Sequence, residues 1–233
     1  MGKVKIKKKS TLIDMTAMSD VTVLLLTFFM LTSTFLQEEP VKVVTPSSVS
    51  EIKVPEMNLV TILVNPEGKV FLSFANDADS TYSNEKMRAE LLKNVVAEYN
   101  DKRNANIQLT QKQINEFAGE YMFGQPIASL PGFLDIEVMD RKELRDPASN
   151  PNAGIPISIN TDLTKPNEFQ MWMSAAYKTS NQNLLAAIKD GSGIAIKADK
   201  DTPYDVIHVV MDNLQTMKMN RFSLMTALKS GGE

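Results

Sequence analysis

The 233-residue chain contains no cysteine and only one histidine. Without cysteine it can form neither a disulfide nor a thiolate nucleophile, and it cannot hold a Cys-ligated metal ion. The histidine, His208, lies among Ile207, Val209 and Val210 in a predicted helix, a setting that favours a core or boundary position over a catalytic one. P-loop and dinucleotide-binding fingerprints are also absent. We therefore expect no enzymatic activity, no cofactor and no metal site.

Basic residues are outnumbered by acidic ones outside the first ten residues. Residues 21–233 hold 20 basic against 26 acidic residues, a net charge of −6, which argues against nucleic-acid binding. The basic end of the chain carries five lysines: Lys3, Lys5, Lys7, Lys8 and Lys9.

Long apolar runs are scarce, since only residues 15–37 form one. As a helix these 23 residues would measure about 34 Å, enough to cross a hydrocarbon core of about 30 Å. Because lysines precede the run, the positive-inside rule predicts a cytoplasmic tail at 1–14, a single transmembrane helix at 15–37 and an extracytoplasmic remainder. A cleaved signal peptide is the main rival, but Ser33–Gln37 lacks a small-x-small cleavage site.

Asp20 is the only ionisable residue within this run. A carboxylate costs roughly 2.5–3.5 kcal/mol near the centre of a membrane helix, and such residues usually mark proton or ion pathways. At about 100° per residue, Thr27 and Thr34 share the helix stripe of Asp20, and Thr16 lies about 40° away. The stripe is therefore predicted to face another helix or a wet cavity. The alternatives are that Asp20 caps the helix and that each threonine bonds its own backbone.

Two segments of the sequence resemble the ExbD/TolR family. Residues 13–30 (IDMTAMSDVTVLLLTFFM) are similar to the family's membrane helix, and residues 41–48 (VKVVTPSS) to the segment that follows it. The resemblance implies that Asp20 is the proton-carrying aspartate and Thr16 the family threonine. Two residues depart from the family pattern, Ala17 in place of proline and Thr45 in place of leucine.

Residues 38–57 are predicted to form an extended periplasmic linker, since they contain three prolines and no helical period. Within the linker, Val41, Val43 and Pro46 form a short alternating segment that could dock by adding to a sheet edge. An inert spacer is the alternative.

The remainder, residues 58–233, is predicted to be a two-layer α+β domain of sheet and helices. A hairpin is expected at 59–74 around Asn65-Pro66-Glu67-Gly68, followed by a helix at 85–99 capped by Ser83 or Asn84. A strand at 193–198, a helix at about 203–217 and a last strand near Phe222 complete the pattern, which again resembles the periplasmic domain of ExbD. The apolar stripe predicted for this last helix comprises Tyr204, Ile207, His208, Met211 and Leu214.

Residues of about 100–189 have no counterpart in the short family domain, and we interpret them as a long insertion. Helices are predicted near 110–120 and 166–178. The insertion could dock a partner or simply enlarge the scaffold, and long insertions in compact domains are often functional.

The resemblance implies a component of a proton-motive-force-driven motor of the cell inner membrane that energises TonB-dependent transport across the outer membrane. Its implied partners are an ExbB-like polytopic pentamer, a TonB-like energy transducer and a second copy of this chain. A TolR-like role in envelope integrity is the nearest alternative. A flagellar or gliding stator and a membrane-anchored periplasmic binding protein or enzyme are the others, and the last of these predicts that Asp20 is dispensable.

Overall fold

The structure is a computed structural model that describes residues 15–32, 39–48, 55, 57–76, 82–225 and 227–228. The predicted basic tail, Thr34 and part of the predicted linker lie outside these residues. The chain divides into two compact units, residues 1–37 and residues 38–233. The first unit contains helix α1 (Met15–Thr32). Across the described residues, no helix combines the length and the apolar character needed to cross a membrane.

The second unit is a mixed α+β domain. Its helices are α2 (Asn84–Arg103), α3 (Gln111–Gly119), α4 (Leu130–Asp135), α5 (Arg141–Arg145), α6 (Glu168–Tyr177), α7 (Gln182–Asp190) and α8 (Tyr204–Thr216). Its strands are β1 (Ser47–Ser48), β2 (Leu59–Val64), β3 (Val70–Ala75), β4 (Met122–Phe123), β5 (Ile194–Ala198), β6 (Ser223–Met225) and β7 (Ala227–Leu228). The predicted sheet-and-helix class is confirmed.

Five strands form the main sheet in the order β4-β3-β2-β5-β6. Strands β2 and β3 are an antiparallel hairpin, whereas β5 runs parallel to β2 and β6 parallel to β5. The predicted hairpin turn is confirmed, because the amide of Gly68 donates to the carbonyl of Asn65 at 3.0 Å and Gly68 has φ +76°. A positive φ is what glycine supplies without steric cost. A separate pair of short parallel strands joins β1 to β7.

Local sequence signals also explain the longest helix of the domain. Ser83 caps α2, its side chain accepting from the amide of Lys86, as the sequence predicts. Asn104 closes the helix in a left-handed conformation, a role for which asparagine is well suited.

The residues predicted to form an insertion supply part of the core. An aromatic cluster joins Phe74 of the hairpin to Phe117, Phe123 and Trp172, with ring centroids between 4.4 and 6.4 Å apart. All four side chains are buried, and α6 packs against α2. The segment from 100 to 189 is therefore continuous with the hydrophobic core.

The predicted apolar stripe of α8 is partly wrong. Tyr204 is 68% exposed, and the side chain of His208 is 53% exposed and pairs with Asp212, Nδ1 to Oδ2, at 2.9 Å. The buried residues of α8 are Val210, Asn213 and Leu214. Asn213 enters the core because neighbouring groups satisfy its amide, a possibility that apolar periodicity alone does not reveal.

Candidate functional site: an acidic helix and a docked linker

Asp20 lies inside α1 and not at its start. The helix begins at Met15, five residues earlier, and a capping side chain can satisfy only the free amides of the first turn. The capping alternative is therefore not supported. Asp20 and the large apolar side chains of α1 are all exposed within their own unit. Helix α1 thus presents one carboxylate on a surface that is otherwise largely apolar.

The hydroxyl groups of α1 are largely satisfied by the helix itself. Thr27 donates to the carbonyls of Val23 and Leu24 at 3.0 and 2.9 Å. Ser19, Thr22 and Thr32 bond the preceding turn in the same way. Thr16 lies one turn before Asp20, about 40° from the predicted stripe, whereas Thr34 is outside the described residues. A carboxylate only accepts hydrogen bonds and backbone carbonyls donate none, so Asp20 cannot be satisfied by the preceding turn in this way.

Residues 39–44 contact the face of the main sheet opposite the helices. Val41 and Val43 pack against a small buried cluster formed by Leu63, Phe71 and Met122. The exposure of the segment alternates, with Lys42 and Val44 facing outward. We define this cluster, together with the polar contacts at the end of β5, as the linker site.

Polar contacts hold the same segment at the end of β5. The amide of Val44 donates to Asp199 Oδ2 at 2.7 Å, and the amide of Lys200 donates to the carbonyl of Val44 at 2.9 Å. Lys197 Nζ pairs with Glu39 at 2.6 Å. The linker is therefore held at two separate points, by an ion pair and by a backbone clamp.

The pKa of Asp199 lies below its usual value because its carboxylate accepts the amide of Asp201 and, in addition, that of Val44, with Lys200 nearby. Hydrogen bonds to the ionised form favour it over the neutral form. The clamp is consequently a property of the charged carboxylate.

The detail of the linker contact differs from the predicted strand addition. Val41 and Val43 pack on the sheet face, Pro46 is exposed, and strand pairing begins only at Ser47 and Ser48. Alternation places the two valines on one side, which suits packing on a sheet face as well as pairing at its edge. The roles of Lys197 and Asp199 were not predicted, although an acid placed directly after a buried strand was a usable signal.

Comparisons with known proteins place a family match on the first part of the chain. Residues 7–120 match the family model described as Biopolymer transport protein ExbD/TolR. The matched segment includes Asp20, the linker valines and the hairpin, and it ends inside the predicted insertion. No curated protein and no solved structure matches the chain. The family consists of membrane-anchored periplasmic, non-enzymatic components that energise biopolymer transport. Over residues 7–120 this chain is therefore similar to the ExbD/TolR family.

Proposed function

We propose that this chain is the proton-carrying component of an inner-membrane motor that energises TonB-dependent transport across the outer membrane. In this proposal residues 15–37 cross the inner membrane once, with the N-terminus in the cytoplasm and residues 38–233 in the periplasm. The observation that carries the proposal is Asp20, a carboxylate inside an apolar helix of the segment that matches ExbD/TolR.

The chemistry of α1 supports a carrier role for Asp20. The helix itself satisfies the hydroxyl of Thr27. Asp20 is therefore the group on this face of the helix whose charge and hydrogen bonding would change with protonation. Protonation removes a full charge and changes the carboxylate from a pure acceptor to a donor. One elementary charge crossing 100 mV of membrane potential releases about 2.3 kcal/mol, so mechanical work of any size requires several protons.

The other parts of the motor must come from partners. An ExbB-like polytopic pentamer would surround two copies of α1, so that Asp20 faces protein or water and not lipid. Helix α1 would shift against this ring between the charged and neutral states of Asp20, which requires the two states to have different contacts with the ring. A TonB-like transducer would then carry force to outer-membrane receptors.

The linker site suggests how the periplasmic domain responds. We infer that the docked linker is one of two states, since about six residues are held by a few contacts on a surface otherwise complete. A segment held by so few contacts opens and closes readily. Docking of residues 39–44 would then couple the position of the domain to the state of the motor.

Co-purification tests the motor and separates its two versions. Full-length chain solubilised in detergent, from cells that also express the polytopic protein encoded beside it, should elute as a complex with that protein. A TonB-like transducer in the complex supports the transport role, and a peptidoglycan-associated partner supports the TolR-like alternative. A chain that elutes alone contradicts both.

Asp199→Ala is expected to free the linker without unfolding the domain. The substitution removes the acceptor of the Val44 amide, so trypsin should cut after the exposed Lys42 about tenfold faster, because cleavage follows the population of the open form. Asp201→Ala is the matched control, since its side chain is 67% exposed and pairs only with Lys200 among the described residues. Equal cleavage of the two variants would show that the clamp does not hold the linker.

The pH dependence of the clamp follows from the lowered pKa of Asp199. A carboxyl whose pKa is lower in the folded state stabilises that state fully above its ordinary value of 3.8, and the effect is lost as the pH falls through the lowered pKa. The amide resonance of Val44 should therefore keep its docked chemical shift from neutral pH down to the ordinary pKa of 3.8. It should change only below that pH, as the pH falls through the lowered pKa of Asp199.

A further inference from the structure

A six-residue segment of the predicted insertion, Ile155–Asn160, begins in the core at Ile155 and is mostly exposed beyond it. It contains no turn or bend, and no described strand pairs with it. We call this segment the strap. Its first residue is tied to the sheet, because the amide of Ile155 donates to the carbonyl of Val70 at 2.8 Å. Beyond that point the strap leaves the sheet.

Side-chain amides hold one edge of the strap. Asn167 Nδ2 and Asn213 Nδ2 both donate to the carbonyl of Ser158, at 2.9 and 3.0 Å. Gln170 Nε2 donates to the carbonyl of Asn160 at 2.8 Å. Carbonyls two residues apart that point to the same side are the pattern of an extended strand. The strap is therefore held as a strand by α6 and α8, without a neighbouring strand on that side.

The opposite edge of the strap is open. In an extended segment the main-chain groups of Ile157 and Ile159 point away from those of Ser158. No described residue bonds the amide or carbonyl of either isoleucine, and Ile159 is 67% exposed. A groove of about 490 Å³, bordered by Gly68, Lys69 and residues 154–157, leaves room beside the start of this edge. An ordered, unpaired strand edge of this kind is a template for another strand.

The open edge is complementary to itself. If a second strap lies antiparallel to the first, with Ser158 opposite Ser158, each Ile157 faces the Ile159 of the other copy. Residues so placed exchange two hydrogen bonds per pair, which gives four bonds across the two-fold axis. The exposed side chain of Ile159 would then gain a cross-strand apolar neighbour.

We propose that the straps of two copies of this chain pair antiparallel about Ser158 and form a contact between their periplasmic domains. Six residues a side is well below the roughly 20–30 of a standard interface, so the pairing needs copies already held close together. The pairing rests on the proposed function in one respect only: the membrane anchor is what would hold the two copies close together. It does not depend on what Asp20 does.

The absence of native cysteine makes a direct test possible in the full-length chain in membranes. In the proposed pairing the two Ser158 residues form a non-hydrogen-bonded pair with Cα atoms about 4.5 Å apart, within the 4.4–6.8 Å of disulfides. Ser158→Cys should therefore give disulfide-linked dimer under mild oxidation. Thr161→Cys is the matched control, exposed directly after the strap, and should give about tenfold less, because its two copies would lie beyond the roughly 7 Å limit.

A second pair of variants separates strand pairing from random collision. Added to Ser158→Cys, Ile159→Pro removes one outward amide and should reduce the dimer to the level of Thr161→Cys, whereas Ile159→Thr keeps the amide and should preserve it. A circular-dichroism melt checks that both variants remain folded. Equal crosslinking of Ser158→Cys and Thr161→Cys would overturn the proposal, as would a dimer that survives Ile159→Pro or a Ser158→Cys adduct formed only with another protein. Because the readout is a crosslink and not uptake, its failure is distinct from failure of the motor proposal.

Discussion

Asp20→Asn should reduce energised uptake to the level seen in cells treated with a protonophore, while the chain still inserts and assembles. The substitution preserves the size of the side chain but removes the site where a proton binds, so the two states between which α1 would move no longer exist. Removal of a charge from an apolar helix also lowers the cost of insertion, so loss of the protein is not the expected cause. Uptake of a TonB-dependent substrate is measured together with the amount of assembled complex.

Two companion variants make this result specific to the carboxyl group. Ser19→Ala removes an adjacent hydroxyl that bonds only the carbonyl of Met15, and it should leave uptake near the wild-type rate. Asp20→Glu keeps a carboxyl about one methylene further out and should retain part of the activity. If Asp20→Asn cells take up substrate as fast as wild type, Asp20 is not the proton carrier, and a membrane-anchored binding protein becomes the better hypothesis.

Trp172→Ala should lower the free energy of unfolding of the periplasmic domain by about 3–5 kcal/mol, the usual cost of truncating a large buried aromatic residue. The indole is fully buried and lies between Phe74, Phe117 and Phe123. For a domain of this size the loss corresponds to a fall in melting temperature of roughly 10 °C. A circular-dichroism melt is the appropriate measurement, since this is the only tryptophan of the chain.

The same experiment tests whether the long segment from 100 to 189 is part of the core. Met139→Ala is its matched control, because Met139 belongs to the same segment but is 91% exposed and should melt as wild type does. If Trp172→Ala also melted at the wild-type temperature, the segment would behave as a dispensable addition and the aromatic cluster would not contribute to stability.

Short-range chemistry made much of the fold predictable from the sequence. The hairpin follows from the turn residues between Asn65 and Gly68, and α2 from the cap at Ser83 and its apolar period. Two of the three longer helices of this region, α3 and α6, were also placed within about two residues, which is the usual uncertainty of helix ends. In each case the residues that decide the structure are neighbours in the sequence.

Helix α7 was missed although Asn181 and Gly191 cap it locally, but other missed elements depend on contacts between distant residues. Strand β4 has two residues and exists because β3 offers it an edge. Helix α5 begins near Arg141, a buried cation held by Glu116 and Glu120 of the α3 region, and local sequence cannot reveal this pairing. The face of α8 was misjudged for the same reason, since the amide of Asn213 is satisfied by groups far away in the chain.

The candidate site also contains residues that the sequence reveals and residues that it does not. Asp20 stands out in the sequence because charge is rare in an apolar run, and the family match covers that position. The residues that receive the linker do not stand out, because Lys197 and Asp199 lie about 155 residues from the segment they hold. No local pattern marks such a contact.

The docked linker also determines the length of the tether between the two units of the chain. With Glu39 held by Lys197, only residues 33–38 join α1 to the docked segment, a span of at most about 20 Å. Release of these contacts frees the chain as far as Pro46, directly before the β1–β7 pair, so 14 residues, about 48 Å when extended, then join α1 to the domain. Two hydrogen bonds, one ion pair and two valine side chains thus decide between a tether of about 20 Å and one more than twice as long.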